Sequence, residues 1–230
     1  MSKIQFLYDG ICLKNGRESN MDSLLLTERN ISGTQVMLGV VCDGVGSLSE
    51  GAYASVESVR MLSEWFLGLC STERVGLLMR DEVLLINARI TKAANAQNKQ
   101  TATTLSALLI ADNHTHIVHA GDSRIYSISE DSTKQLTVDA VTESGHLTTY
   151  VGRHLDLELF YTESVISEHV FLLCSDGLYK RINISEDSIR DGIYTSNKKT
   201  LKKALNSLAD LAVERGERDN ISAAIIKILM

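Results

Sequence analysis

An α+β fold, mainly antiparallel strands with helices packed outside, is what this 230-residue chain predicts. Two observations lead there. The apolar patterns run strand, two helices, several strands, one helix, one strand, without the regular alternation of a parallel doubly wound sheet. The link AGDS between two of the strands is short and turn-like, which suits antiparallel neighbours.

In order along the chain, Gln35–Cys42 is an apolar run of strand length. From Ser49 onward, Ala52, Val56, Val59 and the Trp65–Phe66 pair recur at helical spacing, and Glu73–Asn95 continues it with Leu77, Leu78, Leu84, Leu85, Ala88 and Ile90. Strands are then expected at Thr103–Ala111, Thr115–His119 and Arg124–Ile128, with AGDS closing the last two into a hairpin. Val170–Cys174 reads as another strand. Leu201, Leu205, Leu208 and Ala212 mark a helix that stops at Gly216, and Ile221–Leu229 is the last strand.

Composition narrows the function. A hydrophobic content of 44% and a charged content of 23% are ordinary for a globular protein. A net charge of −6 argues against a nucleic-acid footprint, which needs a basic face. No stretch has the length of a membrane span, and MSKIQFLYDG is too polar for a signal peptide, so a cytoplasmic protein is expected. Cys12, Cys42, Cys70 and Cys174 form no C-x-x-C pair and read as buried thiols in a reducing compartment. A single domain over residues 1–230 suits this length.

The chemistry lies in acidic clusters at the ends of apolar runs: NGRESNMD (Asn15–Asp22), VVCDGVG (Val40–Gly46), HAGDSR (His119–Arg124), LLCSDGL (Leu172–Leu178) and ERDN (Glu217–Asn220). Carboxylates gathered at one rim of a sheet repel each other unless a cation sits among them. A hard divalent ion with oxygen ligands meets that need without His or Cys. Each cluster alone is a common turn signal; five in one chain are not. His114 and His116 share one strand face and His119 the other, so they form no metal triad.

The motifs, in their order, resemble the metal-dependent serine/threonine protein phosphatases of the PP2C type, in their compact bacterial form. The resemblance rests on GRESNMD (Gly16–Asp22), DGVGSLSEGAYAS (Asp43–Ser55), ATTL (Ala102–Leu105), AGDSRIY (Ala120–Tyr126), LTVD (Leu136–Asp139), LTTYVG (Leu147–Gly152), LLCSDGLYK (Leu172–Lys180) and RDNISAAII (Arg218–Ile226). It implies a four-layer α-β-β-α sandwich of two antiparallel sheets flanked by helices. It also implies a binuclear Mn2+ or Mg2+ centre whose metal-bound water hydrolyses phosphoserine or phosphothreonine. Asp43, Gly44 (through its carbonyl), Asp176 and Asp219 would hold the metals, and Asp122 would belong to a weaker third ion. Arg17 would grip the phosphate, and Asp22 would orient metal-bound water. Phosphorylated proteins are the implied substrates, with a serine/threonine kinase acting opposite, and a monomer is expected with no nucleic-acid or membrane partner.

Three departures stand out. Met21 occupies a position that is usually acidic or amide. Val45 replaces a histidine found in many eukaryotic members. Only Ala140–His146 separates LTVD from LTTYVG, where a longer flap is usual, leaving Glu143 as the one candidate partner for Asp122. Met21 keeps open a second reading, a catalytically weak or inactive member that binds phosphoproteins or a kinase.

Overall fold

Two five-stranded sheets, antiparallel throughout, form the centre of the computed structural model, which describes residues 4–46, 48 and 50–229. The first sheet runs β1 (Gln5–Leu13), β10 (Ile221–Leu229), β9 (Val170–Cys174), β6 (Arg124–Ile128), β7 (Thr133–Gln135). The second runs β2 (Ser23–Ile31), β3 (Thr34–Cys42), β4 (Leu105–Ala111), β5 (His114–Ala120), β8 (Phe160–Val165). Helices α1 (Gly51–Gly68) and α2 (Val75–Ala96) pack on the second sheet. Helices α3 (Asp176–Tyr179), α4 (Asp187–Tyr194) and α5 (Leu201–Glu214) pack on the first. The expected four-layer α-β-β-α sandwich is therefore what forms.

Strand β3 shows how the sequence specifies three apolar layers. Val36, Leu38, Val40 and Cys42 face the α1/α2 side, while Met37 and Val41 enter the space between the sheets. A strand covered on both faces has no polar side to show, so it reads as an unbroken apolar run. Each such Leu or Val side chain stabilises the fold by about 1.5–3 kcal/mol. The outer strands β1 and β2 are mostly half-buried, and their mixed composition hides them in the sequence.

One expectation fails. β5 and β6 are not a hairpin: β5 pairs with β4 and β8, and β6 with β7 and β9, in different sheets. The AGDS link instead carries the chain across the sandwich. The Ser123 carbonyl accepts from Ser106 and its hydroxyl pairs with Thr104, which anchors the link on the second sheet as the chain leaves it. The hairpin partner of β5 is β4, through Asp112 and Asn113, both at positive φ as a two-residue turn requires.

The helices fall close to expectation. Ser49, where the first was expected to begin, lies outside the described residues, and α1 starts at Gly51. Helix α5 ends as predicted: Gly216, at φ +92°, lets its own N–H reach Val213 O and that of Glu217 reach Ala212 O. Of the four free cysteines, Cys42 and Cys174 are buried as expected. Cys12 and Cys70 are exposed, one on outer strand β1 and one in the loop after α1. His116 and His119 are buried on opposite faces of β5, and the rings of His114 and His116 stack on one of them.

Candidate active site

The two sheets bring five loops to one rim. β1 pairs with β10 in register from Gln5–Leu229 to Leu13–Ile221, so the stretch after β1 lies beside the stretch before β10. Side chains lock the two together. Asn15 donates to the carbonyls of Glu217 and Asp219 at 3.1 and 2.8 Å. Asn220 donates to those of Lys14 and Ser19 at 2.8 and 3.0 Å, and its own oxygen accepts the Met21 N–H at 2.9 Å. Asp219 and the Arg17–Asp22 stretch are thereby held as one unit.

Asp43 directly follows β3. Its N–H donates to Thr104 Oγ1 at 3.0 Å, and its carbonyl accepts from Thr104 N at 2.9 Å. Gly44 packs so tightly that a Cβ would lie 2.7 Å from the carbonyl oxygens of Gly51 and Met21, so no larger residue fits here. Asp176 opens α3 directly after β9, and Asp122 sits in the β5–β6 link, where Tyr179 Oη donates to its carbonyl at 2.9 Å.

Arg17, Asp43, Gly44, Asp122, Asp176 and Asp219 line one cleft of about 480 Å3, together with Glu18, Ser19, Met21, Val45, Thr104, Lys180 and Asn220. Asp22 is buried behind it, close enough for its charge to act on Asp43. Ser175 Oγ donates to Asp22 Oδ2 at 2.9 Å, while Asp22 Oδ1 is buried with no hydrogen-bond partner.

The electrostatics follow from this crowding. Burial, then the charges of Asp22, Asp176, Asp122 and Asp219, push the Asp43 carboxyl well above its usual range. Burial, with Asp176 adding to it, lifts Asp22 to about 6. Asp122 also rises to about 6, for the same two reasons. Arg17 is held more firmly protonated by hydrogen bonds to Asp219, its Nε and Nη2 reaching the two carboxylate oxygens at 2.8 and 2.6 Å. Lys180 pairs with Asp176.

This donor set suits hard divalent ions. It offers carboxylates from separate loops and a backbone carbonyl, contains no His or Cys, and includes a buried carboxylate oxygen that lacks a partner. Among the described residues, no three His, Cys, Asp or Glu side chains are already drawn together as one ion's ligands. The carboxylates ring the cleft instead, and Asp219 and Asp176 are tied to Arg17 and Lys180.

All the residues singled out in the sequence thus come to this rim except Glu143, which is exposed and lies off the cleft wall; Gly145 and Leu147 of the same short link reach it instead. Sequence reasoning missed three participants. Thr104 stands inside the ATTL motif, Lys180 one helical turn after Asp176, and Asn220 beside Asp219. Each was within a quoted motif, but only the folded contacts show what it does.

A family model described as protein phosphatase 2C matches residues 17–214. The chain belongs to the protein phosphatase 2C family. The expectation of a protein-serine/threonine phosphatase is borne out by this match together with the relatives. A putative protein phosphatase of Mycoplasma genitalium is 28% identical over 224 residues, covering 84% of this chain and 85% of the relative. The serine/threonine phosphatase stp of Listeria welshimeri is 25% identical over 217 residues, covering 82% and 83%. Among solved structures, serine/threonine phosphatase Stp1 from Staphylococcus aureus superposes with a TM-score of 0.82 at 22% identity, over 100% of this chain and 96% of that one. The catalytic domain of the serine/threonine protein phosphatase PstP, in complex with two manganese ions, gives 0.80 at 23% identity, over 99% and 100%.

Proposed function

We propose that the protein removes phosphate from phosphoserine and phosphothreonine in phosphorylated proteins, using a pair of Mn2+ or Mg2+ ions held at this rim. Asp43, Asp176, Asp219 and the Gly44 carbonyl are the residues to hold the pair, with Asp122 serving a weaker third ion. When bound, such ions lower the pKa of water and neutralise phosphoryl charge. The chain's own contributions are positional. Arg17 presents a planar fork to two phosphate oxygens, a grip that lysine does not reproduce. Asp22, buried behind the cleft with its carboxyl raised to about 6 by burial, orients water.

The observation that carries this reading is the convergence of five aspartates from five loops around one cleft, one of them with a buried and unpartnered oxygen. The relatives named as serine/threonine phosphatases support the substrate class. The neighbour solved with two manganese ions supports the metal count. We further infer a cytoplasmic monomer, one phosphatase domain over residues 1–230, working opposite a serine/threonine kinase. No helix among the described residues is long and apolar enough to cross a membrane, in keeping with that setting.

Met21 favours the second reading, a phosphoprotein- or kinase-binding module with weak or no turnover. Its thioether packs toward Gly51 and Gly46 at the cleft wall, where a polar side chain would serve a metal better. Manganese-dependent hydrolysis of p-nitrophenyl phosphate, abolished in Asp43→Asn, supports the enzyme. No release by the wild type at any manganese concentration leaves the binding module.

A further inference from the structure

A second hollow of about 560 Å3 adjoins the cleft, and Lys180 is part of both walls. Its lining includes Arg124, Lys180, Arg181 and Arg215 and the rings of Tyr126 and Tyr179, and no Asp or Glu. Four cations around one hollow are unexpected in a chain of net charge −6.

The wall shared with the cleft is fixed. Tyr179 Oη donates to the Asp122 carbonyl at 2.9 Å, and the Arg124 guanidinium lies 3.6 Å above the centre of the Tyr179 ring. Arg124 is otherwise occupied, with both carboxylate oxygens of Asp139 and with Tyr126 Oη. Arg181 and Arg215 are less committed. Each is exposed; Arg181 stands 3.5 Å from Glu217, which is itself buried, and Arg215 stands 3.6 Å from the exposed Glu186, a separation that contributes little in water. Arg215 also donates to the Arg181 carbonyl at 3.3 Å, and each fork keeps further donors to turn to a better anion.

We propose that this hollow is a subsite for an anionic side chain of the substrate protein, a carboxylate or a second phosphate, near the phosphoresidue and on one side of it. The proposal rests on the phosphatase reading of the neighbouring cleft. An extended substrate chain advances about 3.4 Å per residue, so a side chain two or three positions from the phosphoresidue enters the adjoining hollow. Arg181 and Arg215 grip it, while Arg124 and Lys180, paired with Asp139 and Asp176, form the wall on the cleft side. The hollow thus selects acidic sequences around the phosphorylated residue, which an open cleft alone does not do.

The test uses labelled peptides with a non-hydrolysable phosphonate at the central position, in the presence of manganese. Five peptides carry aspartates on the N-terminal flank, aspartates on the C-terminal flank, a second non-hydrolysable phosphonate on either flank in turn, or neutral flanks. Fluorescence anisotropy gives Kd for the wild type, for Arg181→Ala and for the Arg181→Ala/Arg215→Ala double variant. The wild type should favour an anion on one flank by about five- to tenfold, the double variant by less than twofold, and Arg181→Ala by an intermediate factor. Comparing aspartate with the flanking phosphonate shows which anion is preferred. Equal affinity for acidic and neutral flanks, or a preference that survives in the double variant, overturns the subsite. Turnover of p-nitrophenyl phosphate, which has no flanking chain, is followed in parallel. If the wild type fails to hydrolyse it, the enzyme reading falls, and the binding series still decides the subsite.

Discussion

Gly177 lies so close to the main chain of Asn220 that an added Cβ would sit 2.0 Å from the Asn220 carbonyl oxygen. This approach sets the start of α3 against the segment that leads into β10, and so brings Asp176 and Asp219 to one side of the cleft. Both parties are tightly held backbone, so neither yields cheaply. Gly177→Ala should lose about 3 kcal/mol or more of stability and weaken manganese binding as well. Urea unfolding checks it; a loss under about 1 kcal/mol would mean that the approach is not tight.

Arg17 should matter to turnover and hardly at all to stability. Its ion pair with Asp219 is exposed, where such pairs contribute about 0–1 kcal/mol. Arg17→Ala should therefore melt within a few degrees of the wild type while kcat/KM falls about 10- to 100-fold, the loss of a charged hydrogen-bonding grip. Arg17→Lys should recover only part. Steady-state kinetics decide; full recovery by lysine would show that charge, not the planar fork, is what the site needs.

The carboxylate cluster should make the metal-free protein less stable as pH rises. Asp22 and Asp122 titrate near 6 in the folded chain against an ordinary 3.8, and Asp43 is raised as well. Between those limits the folded state binds more protons than the unfolded one, so stability falls with rising pH. In EDTA, the melting temperature of the wild type relative to Asp43→Asn should drop between pH 4 and pH 6.5. At pH 7.5 the variant should be the more stable of the two, and manganese should reverse the order. A flat difference across that range would show that neither burial nor the neighbouring carboxylates raise Asp43.

Thr104→Val keeps the shape and removes the hydroxyl that accepts from Asp43 N–H and pairs with Ser123 at 2.6 Å. Two buried polar groups lose a partner, a cost of about 1–3 kcal/mol. Manganese affinity should weaken in step, because Asp43 loses part of its support. Calorimetry on Thr104→Val and Thr104→Ser tests this, and serine should restore the wild-type affinity.

The site was more legible in the sequence than the topology. Asp43, Asp176 and Asp219 each adjoin a strand that is buried along nearly its whole length, and such strands announce themselves as apolar runs. β1 and β2 were silent because outer strands keep half-exposed side chains, so their patterns blur. The link through Asp122 misled for a different reason. Ala120–Ser123 has the composition of a hairpin turn, and nothing local reveals that Ser106 and Thr104 tie Ser123 to one sheet while Arg124 starts a strand of the other. The exposure of Cys12 has the same origin, since it follows from its place on β1 and not from its residue type.

Calorimetric titration of metal-free protein with manganese tests the central claim most directly, because it counts ions without depending on any substrate. Two tightly bound ions per chain, with at least one lost in Asp43→Asn, are what the proposed metal pair predicts. A wild-type protein that takes up no manganese, or binds it unchanged when Asp43 is replaced, contradicts a metal centre at this rim.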